Sequence, residues 1–158
     1  MKKLLTERMD KIIQCNKEDM DNAEASGLDQ SVRSRLSLQN KEKMNGLLKG
    51  IDDVISKFSD PVGKVLFAKK LDDGLNLYKV ACPIGVLCVI FESRPEAVVQ
   101  IASLTIKSGN ALILKGGKEA AKSNQILADV CLIVIHFCDI FISLNFHVLL
   151  IIIYQNIK

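Results

Sequence analysis

The sequence predicts an α/β fold in which N-terminal helices and a β-hairpin lead into the first βαβα of a parallel sheet. Three observations predict it. Two short runs, 86–91 and 111–114, are apolar throughout, as expected of strands covered on both faces. Helical stripes follow each run across short links, the pattern of parallel strands joined by crossover helices. Upstream, Met44, Leu47, Leu48, Ile51, Val54, Ile55 and Phe58 recur at three- and four-residue steps, which places them on one side of a helix.

In chain order, residues 4–25 mix charge with Leu4, Leu5, Met9, Ile12 and Ile13, giving one apolar helical stripe on a wet surface. Gly27 ends this helix, and a short helical piece over 29–36 follows. The helix over 37–58 has Ser37 as its expected cap and stops at Asp60-Pro61-Val62-Gly63. Segments 64–71 and 75–81 read as a hairpin around Asp72-Asp73-Gly74, because Asp-Gly supplies the positive φ angles of a tight connection. Cys82-Pro83-Ile84-Gly85 breaks the chain before the strand at 86–91. Pro95 suits the first turn of a helix, where its missing N–H costs nothing. Ala97, Val98, Ile101, Ala102, Thr105 and Ile106 form the buried stripe, and Gly109 is the exit. After the strand at 111–114, an Ala-rich helix runs over 118–130.

Composition excludes some classes of function. The net charge of +3 comes without a Lys/Arg block, so no polyanion surface is formed. Aromatics are scarce, so bases have no stacking platform. We therefore expect no nucleic-acid partner. The opening MKKLLTERMDKIIQ meets acid almost at once and carries no secretory apolar run. The five cysteines form no C-x-x-C pair, which together with the opening points to free thiols in a reducing compartment. Cys88, inside an apolar run, is expected to be a buried small hydrophobe.

The residues that could carry chemistry sit where the strands end. In open α/β sheets, ligands bind beyond the carboxyl ends of strands. In KGGK (115–118), two glycines let backbone approach a ligand closely. Free N–H groups of the next helix would favour an anion or hydroxyls, and Lys115 would bring its ammonium into the same crevice. The alternative is an ordinary βα turn with solvated lysines. In ESRP (92–95), Arg94 could bind an anionic substrate, or Glu92 and Arg94 could form a surface pair. The pattern leaves both open. Neither G-x-x-x-x-G-K-[ST] nor G-x-G-x-x-G occurs.

The stretch PIGVLCVIFESRPEAVVQIASLTIKSGNALILKGGKEAAKSN (83–124) is similar to the cofactor-binding half of gamma-glutamyl phosphate reductase, also called glutamate-5-semialdehyde dehydrogenase. It most resembles the version at the C-terminal end of plant delta-1-pyrroline-5-carboxylate synthase. RSRLSLQNKEKMNGLLKGIDDV (33–54) and DPVGKVL (60–66) match the same family more loosely. The resemblance implies an incomplete Rossmann-like sheet of the aldehyde dehydrogenase type. It also implies reduction of gamma-glutamyl phosphate, a small-molecule substrate, with NADPH in proline biosynthesis. Lys115 would contact the adenosine ribose or its 2′-phosphate, for which a flexible point charge is apt. Gly116, Gly117 and Glu119 would shape the turn, and Ile90, Phe91, Glu92 and Ser93 would line the nicotinamide side. Arg94 is the candidate substrate-binding residue. Glu96 departs from the family pattern, which often has Asn or Asp after the ESRP proline, so no neutral amide donor comes from that position. The family's catalytic thiolate lies downstream of this half, and none of the five cysteines matches its motif, so no catalytic residue is assigned. The family further implies a homo-oligomer and a cytoplasmic location, with plastids allowed.

Composition breaks near residue 131, so 1–130 is expected to be a partial NADP-binding domain and 131–158 an apolar tail outside the family. A membrane-spanning helix fits the tail's length, but Asp139 within the span would cost about 2.5–3.5 kcal/mol. Cys131, His136, Cys138 and His147 could be grouped as metal ligands, though their spacing matches no finger. The third reading is translation of a retained intron, given the richness in Ile, Phe, Leu, Asn and Tyr. The expected function is a reductase fragment, inactive alone. The alternative is a non-catalytic subunit that joins the full-length enzyme through its hairpin.

Overall fold

The structure, a computed structural model, describes residues 1–139 and 150–153, with side chains through Ile135. Four helices come first: α1 (Lys2–Glu7), α2 (Met9–Ala25), α3 (Gln30–Leu36) and α4 (Lys41–Lys57). The hairpin β1 (Val65–Asp72) and β2 (Leu75–Val80) follows, then β3 (Val86–Ile90), α5 (Glu96–Lys107) and β4 (Ala111–Lys115). A 3-10 turn, Lys118–Ala120, leads into α6 (Ala121–Asp139), and β5 (Leu150–Ile153) closes the described chain. The predicted elements are all present, with shifted ends. The first helix breaks at Arg8 into α1 and α2. Helix α4 starts later than expected, and its cap is Asn40, not Ser37. The Asn40 side chain accepts from the Glu42 N–H at 2.8 Å, which satisfies one orphan donor of the first turn.

The hairpin forms a separate two-stranded antiparallel sheet with every residue of β1 and β2 exposed. Its turn uses one positive φ, at Gly74 (77°), and a register shift between Lys70 and Asp72 takes up the remaining twist.

The second sheet is parallel, in the order β3-β4-β5. Strand order advances in one direction, and α5 and α6 share one core with the inward face of the sheet. On that face Leu112 and Leu114 are buried, and Leu87, Val89 and Phe91 pack against the same core. A second helical layer lies outside, with α2 on α6 and α4 on α5. Met44, Leu47 and Ile51 of α4 join Val98, Val99 and Ala102 of α5 in one cluster. Both crossover helices are therefore covered on two sides.

The other face of the sheet is open, which corrects the expectation that 86–91 is covered on both faces. Val86 is 62% and Ile90 72% exposed. Cys88, on the same face by strand alternation, is exposed rather than buried. A continuous apolar run reports a strand but cannot report what covers it.

Helix α6 crosses the break in composition near residue 131. Cys131 and Ile135 are buried and fill the core beside Leu127 and Val130. Beyond the helix, β5 pairs with β4 from Leu112↔Leu150 to Lys115↔Ile153. Among the described residues no helix is long and apolar enough to cross a membrane, and no group of three or more side chains could hold a metal. Of the metal set read from sequence, the side chains of His136 and Cys138 and all of His147 lie outside the described residues, as do 140–149 and 154–158.

Burial pushes the Cys131 thiol up from 9.0 to about 12, since the thiolate would lose its water. The folded thiol keeps its proton where the unfolded one loses it. Its contribution to stability is thus complete below about pH 9 and declines as pH rises toward 12. In native protein at pH 8, a thiol reagent is expected to modify Cys82 and Cys88 readily and Cys131 only after unfolding. Peptide mapping of the modified protein checks this, and rapid modification of Cys131 would contradict it.

Candidate functional site

Strands β3 and β4 run in register from Val86↔Ala111 to Ile90↔Lys115. One further bond, Phe91 N–H to the Lys115 carbonyl at 3.0 Å, extends the ladder past β3. The two strands therefore end level, and ESRP and KGGK leave the sheet side by side.

A carboxylate joins them. Glu119 Oε1 accepts from the Ser93 N–H at 2.8 Å and from Ser93 Oγ at 2.9 Å. Ser93 is buried and has φ 53°, the one positive φ at a non-glycine among the described residues. Such backbone costs on the order of 1–3 kcal/mol and persists where its surroundings hold it. Here two hydrogen bonds to a charged acceptor hold it.

The glycines are explained by the same contacts. A Cβ on Gly117 would overlap the Glu119 carboxylate, and one on Gly116 would lie 2.5 Å from Asn124 Nδ2 and 3.2 Å from Phe91 Cζ. Asn124 is fully buried, and among the described residues neither end of its amide has a partner. This residue, like Asp19 below, carries no signal in the sequence reading.

The helix end beyond KGGK is not free, contrary to the sequence reading. Asp19 of α2 accepts from the N–H groups of Lys122 (3.2 Å) and Ser123 (2.7 Å) and from Ser123 Oγ (2.7 Å). This carboxylate already occupies the position that a phosphate would take at the start of α6.

The predicted site residues divide into two groups. Ile90 and Lys115 are register partners on the open face of the sheet, Ile90 exposed and Lys115 half-buried. Glu92, Ser93 and Glu119 line a cavity of about 550 Å³ on the helical side, with Asp19, Ala23, Leu28 and Val32 forming its far wall. Lys118, itself exposed, lines this cavity, whereas Lys115 does not. Phe91 turns inward to the core. Arg94 is exposed, and no ion pair joins it to Glu92 among the described residues.

NADPH, the cofactor that the resemblance implies, fits the β3–β4 ends in two respects. An uncovered apolar strand face ends beside an ammonium, and the turn there has two glycines packed too closely for side chains. It does not fit the α6 N-terminus, which Asp19 closes.

Level parallel strands with a glycine turn and charge at their carboxyl ends define an α/β chain of the open parallel-sheet class, in which strand ends are the usual ligand side. Relatives make this specific. The chain is 48% identical over 128 residues to gamma-glutamyl phosphate reductase of Acetivibrio thermocellus, covering 81% of this chain and 29% of that protein. It is 48% identical over 121 residues to delta-1-pyrroline-5-carboxylate synthase of Mesembryanthemum crystallinum, covering 77% and 17%. The crystal structure of the Saccharomyces cerevisiae gamma-glutamyl phosphate reductase superposes with a TM-score of 0.89 at 40% identity, over 99% of this chain and 39% of that one. The Thermotoga maritima enzyme gives 0.84 at 30% identity, over 99% and 36%. No family model matches the chain. The resemblance read from ESRP and KGGK thus holds in sequence and in fold: the chain is similar to gamma-glutamyl phosphate reductases, spanning less than a third of the length of these curated relatives and less than two fifths of the superposed crystal structures.

Removing the bridging carboxylate should expose the strain it holds. Glu119→Ala is expected to lower stability by about 1–3 kcal/mol, because the buried Ser93 N–H loses its acceptor. Adding Ser93→Gly to that variant should recover part of the loss, since glycine accepts the positive φ freely. Denaturant unfolding of both variants checks this, and no recovery in the double variant would show that Ser93 is unstrained.

Proposed function

We propose that this chain forms the front of the cofactor crevice of an NADPH-dependent reductase acting on gamma-glutamyl phosphate, and that alone it binds cofactor without turning over substrate. The observation that carries the reading is the pairing of Ile90 with Lys115 on the open face where both strands end. NADPH, when bound, supplies the hydride. Around it, Lys115 sets a flexible positive charge against the ribose 2′-phosphate. Gly116 and Gly117 let the backbone come close, and Ile90, the register partner of Lys115, gives the bound cofactor an apolar floor beside it. Glu92 and Ser93 lie at the cavity on the helical side of the strand ends, with Ser93 held by Glu119. Arg94, exposed at the end of the segment, is the cation for the anionic substrate. We assign no cysteine as acyl acceptor, as none of the five matches the motif of the family's catalytic thiolate. Free thiols fit a reducing compartment such as the cytoplasm.

The hairpin supports a second reading, as a non-catalytic subunit. Phe67, Leu71, Leu77 and Tyr78 are each about half exposed (50%, 52%, 47% and 58%) on a two-stranded sheet whose edges pair with no other described strand. Such edges invite pairing with another strand. Co-purification with a full-length reductase, lost when 65–80 is deleted, would favour this reading.

Two outcomes test the first. Lys115→Ala should weaken NADPH binding about tenfold or more while barely changing NADH binding, as loss of one charge-assisted contact predicts. Fluorescence titration at fixed salt measures both, and an NADPH affinity within about twofold of wild type would make KGGK only a turn. The purified chain should oxidise no NADPH when given gamma-glutamyl phosphate, since a thioester step lacks its nucleophile. Steady turnover would overturn this.

A further inference from the structure

Helix α2 grips the first turn of α6 at three points. Asp19, which is 3% exposed, takes the N–H groups of Lys122 and Ser123 and the Ser123 hydroxyl. Asn16, fully buried, donates to Ser123 Oγ at 3.1 Å and also bonds the Leu36 carbonyl and the Leu38 N–H. Glu18 pairs with Lys122 at 2.5 Å. This turn directly follows the 3-10 segment that carries Glu119, and Glu119 holds Ser93 in its positive-φ conformation. A buried carboxylate with three donors is a stiff anchor, because releasing any donor leaves it unpaired away from water.

We infer that Asp19 is a positioning residue: through α6 it sets where Glu119 sits, and through Glu119 it holds the end of β3 in shape for the cofactor. The N-terminal helical layer is thereby part of the site's machinery and not only its packing. The inference rests on the proposed cofactor reading for its consequence, but not for the mechanical link itself.

The link is tested by amide hydrogen exchange on the full chain in wild type, Asp19→Asn and Leu47→Ala, the last a core variant in α4 that takes no part in the Asp19–Ser123 or Glu119–Ser93 hydrogen bonds. In Asp19→Asn the Ser93 amide should exchange about tenfold faster than the global loss of stability explains, while the Leu112 and Leu114 amides follow that loss. In Leu47→Ala all three should follow it. If Asp19→Asn does not fold, Ser123→Ala replaces it. That variant removes the hydroxyl bonds and keeps the Ser123 N–H to Asp19, so a smaller selective acceleration of about threefold is expected. Ser93 protection that follows global stability in the folded variant overturns the inference. A parallel titration with NADPH should show about tenfold weaker binding in Asp19→Asn. Absence of NADPH binding in wild type would instead count against the proposed function, with the exchange result still deciding the link.

Discussion

Ser93 holds a backbone conformation that few side chains tolerate, and it does so because one carboxylate accepts both its N–H and its hydroxyl. Much of the site follows from that contact. It requires Glu119 to lie across the gap between the ends of β3 and β4, which leaves Gly117 no room for a side chain. It aims the chain from Ser93 into Pro95 and α5, and it brings two segments 26 residues apart in sequence to one place. Were the two strands to end at different levels, the carboxylate could not reach. The register Ile90↔Lys115 is therefore as much a part of the site as any side chain.

Charge at the strand ends is arranged in a way that composition conceals. The start of α6 would ordinarily attract an anionic ligand, but Asp19 satisfies it from within the chain. A phosphate bound at the strand ends, as proposed, would then depend on lysine side chains and on loop backbone. Lys115 and Lys118 flank the glycines on different sides, one on the open sheet face and one at the helical cavity. The carboxylates nearest the turn, Glu119 and Asp19, serve the architecture. This division gives structure to one side of the sheet and leaves the other uncovered.

Packing follows the same asymmetry. Helices α5 and α6 lie between the sheet and an outer layer of α2 and α4, and their buried stripes merge into one core. Cys131 and Ile135 extend that core past the point where charge disappears from the sequence. The uncovered face carries Val86, Cys88 and Ile90, and the hairpin stands as a sheet of its own.

The sequence by itself determined the elements from the first helical stripe to β4, their order and the place of the two charged turns where β3 and β4 end. Periodicity reports how one helix or strand meets its surroundings, and glycine, proline and charge mark where each stops. It also determined the relationship to gamma-glutamyl phosphate reductases, since ESRP and KGGK lie at a long and specific spacing. Only tertiary structure decided which residues meet. Asn16 and Asp19 continue the stripe from Ile12 to Ala23 at helical spacing, yet their polarity hides them among wet positions. Their burial depends on Ser123, more than a hundred residues away. The side of the sheet that Lys115 takes, the exposure of Cys88 and the closure of the α6 end were likewise settled by register and by neighbouring elements. Local pattern records the preference of a segment for burial. It holds no record of the partner that a buried polar group finds, because that partner is chosen by the fold of the whole chain.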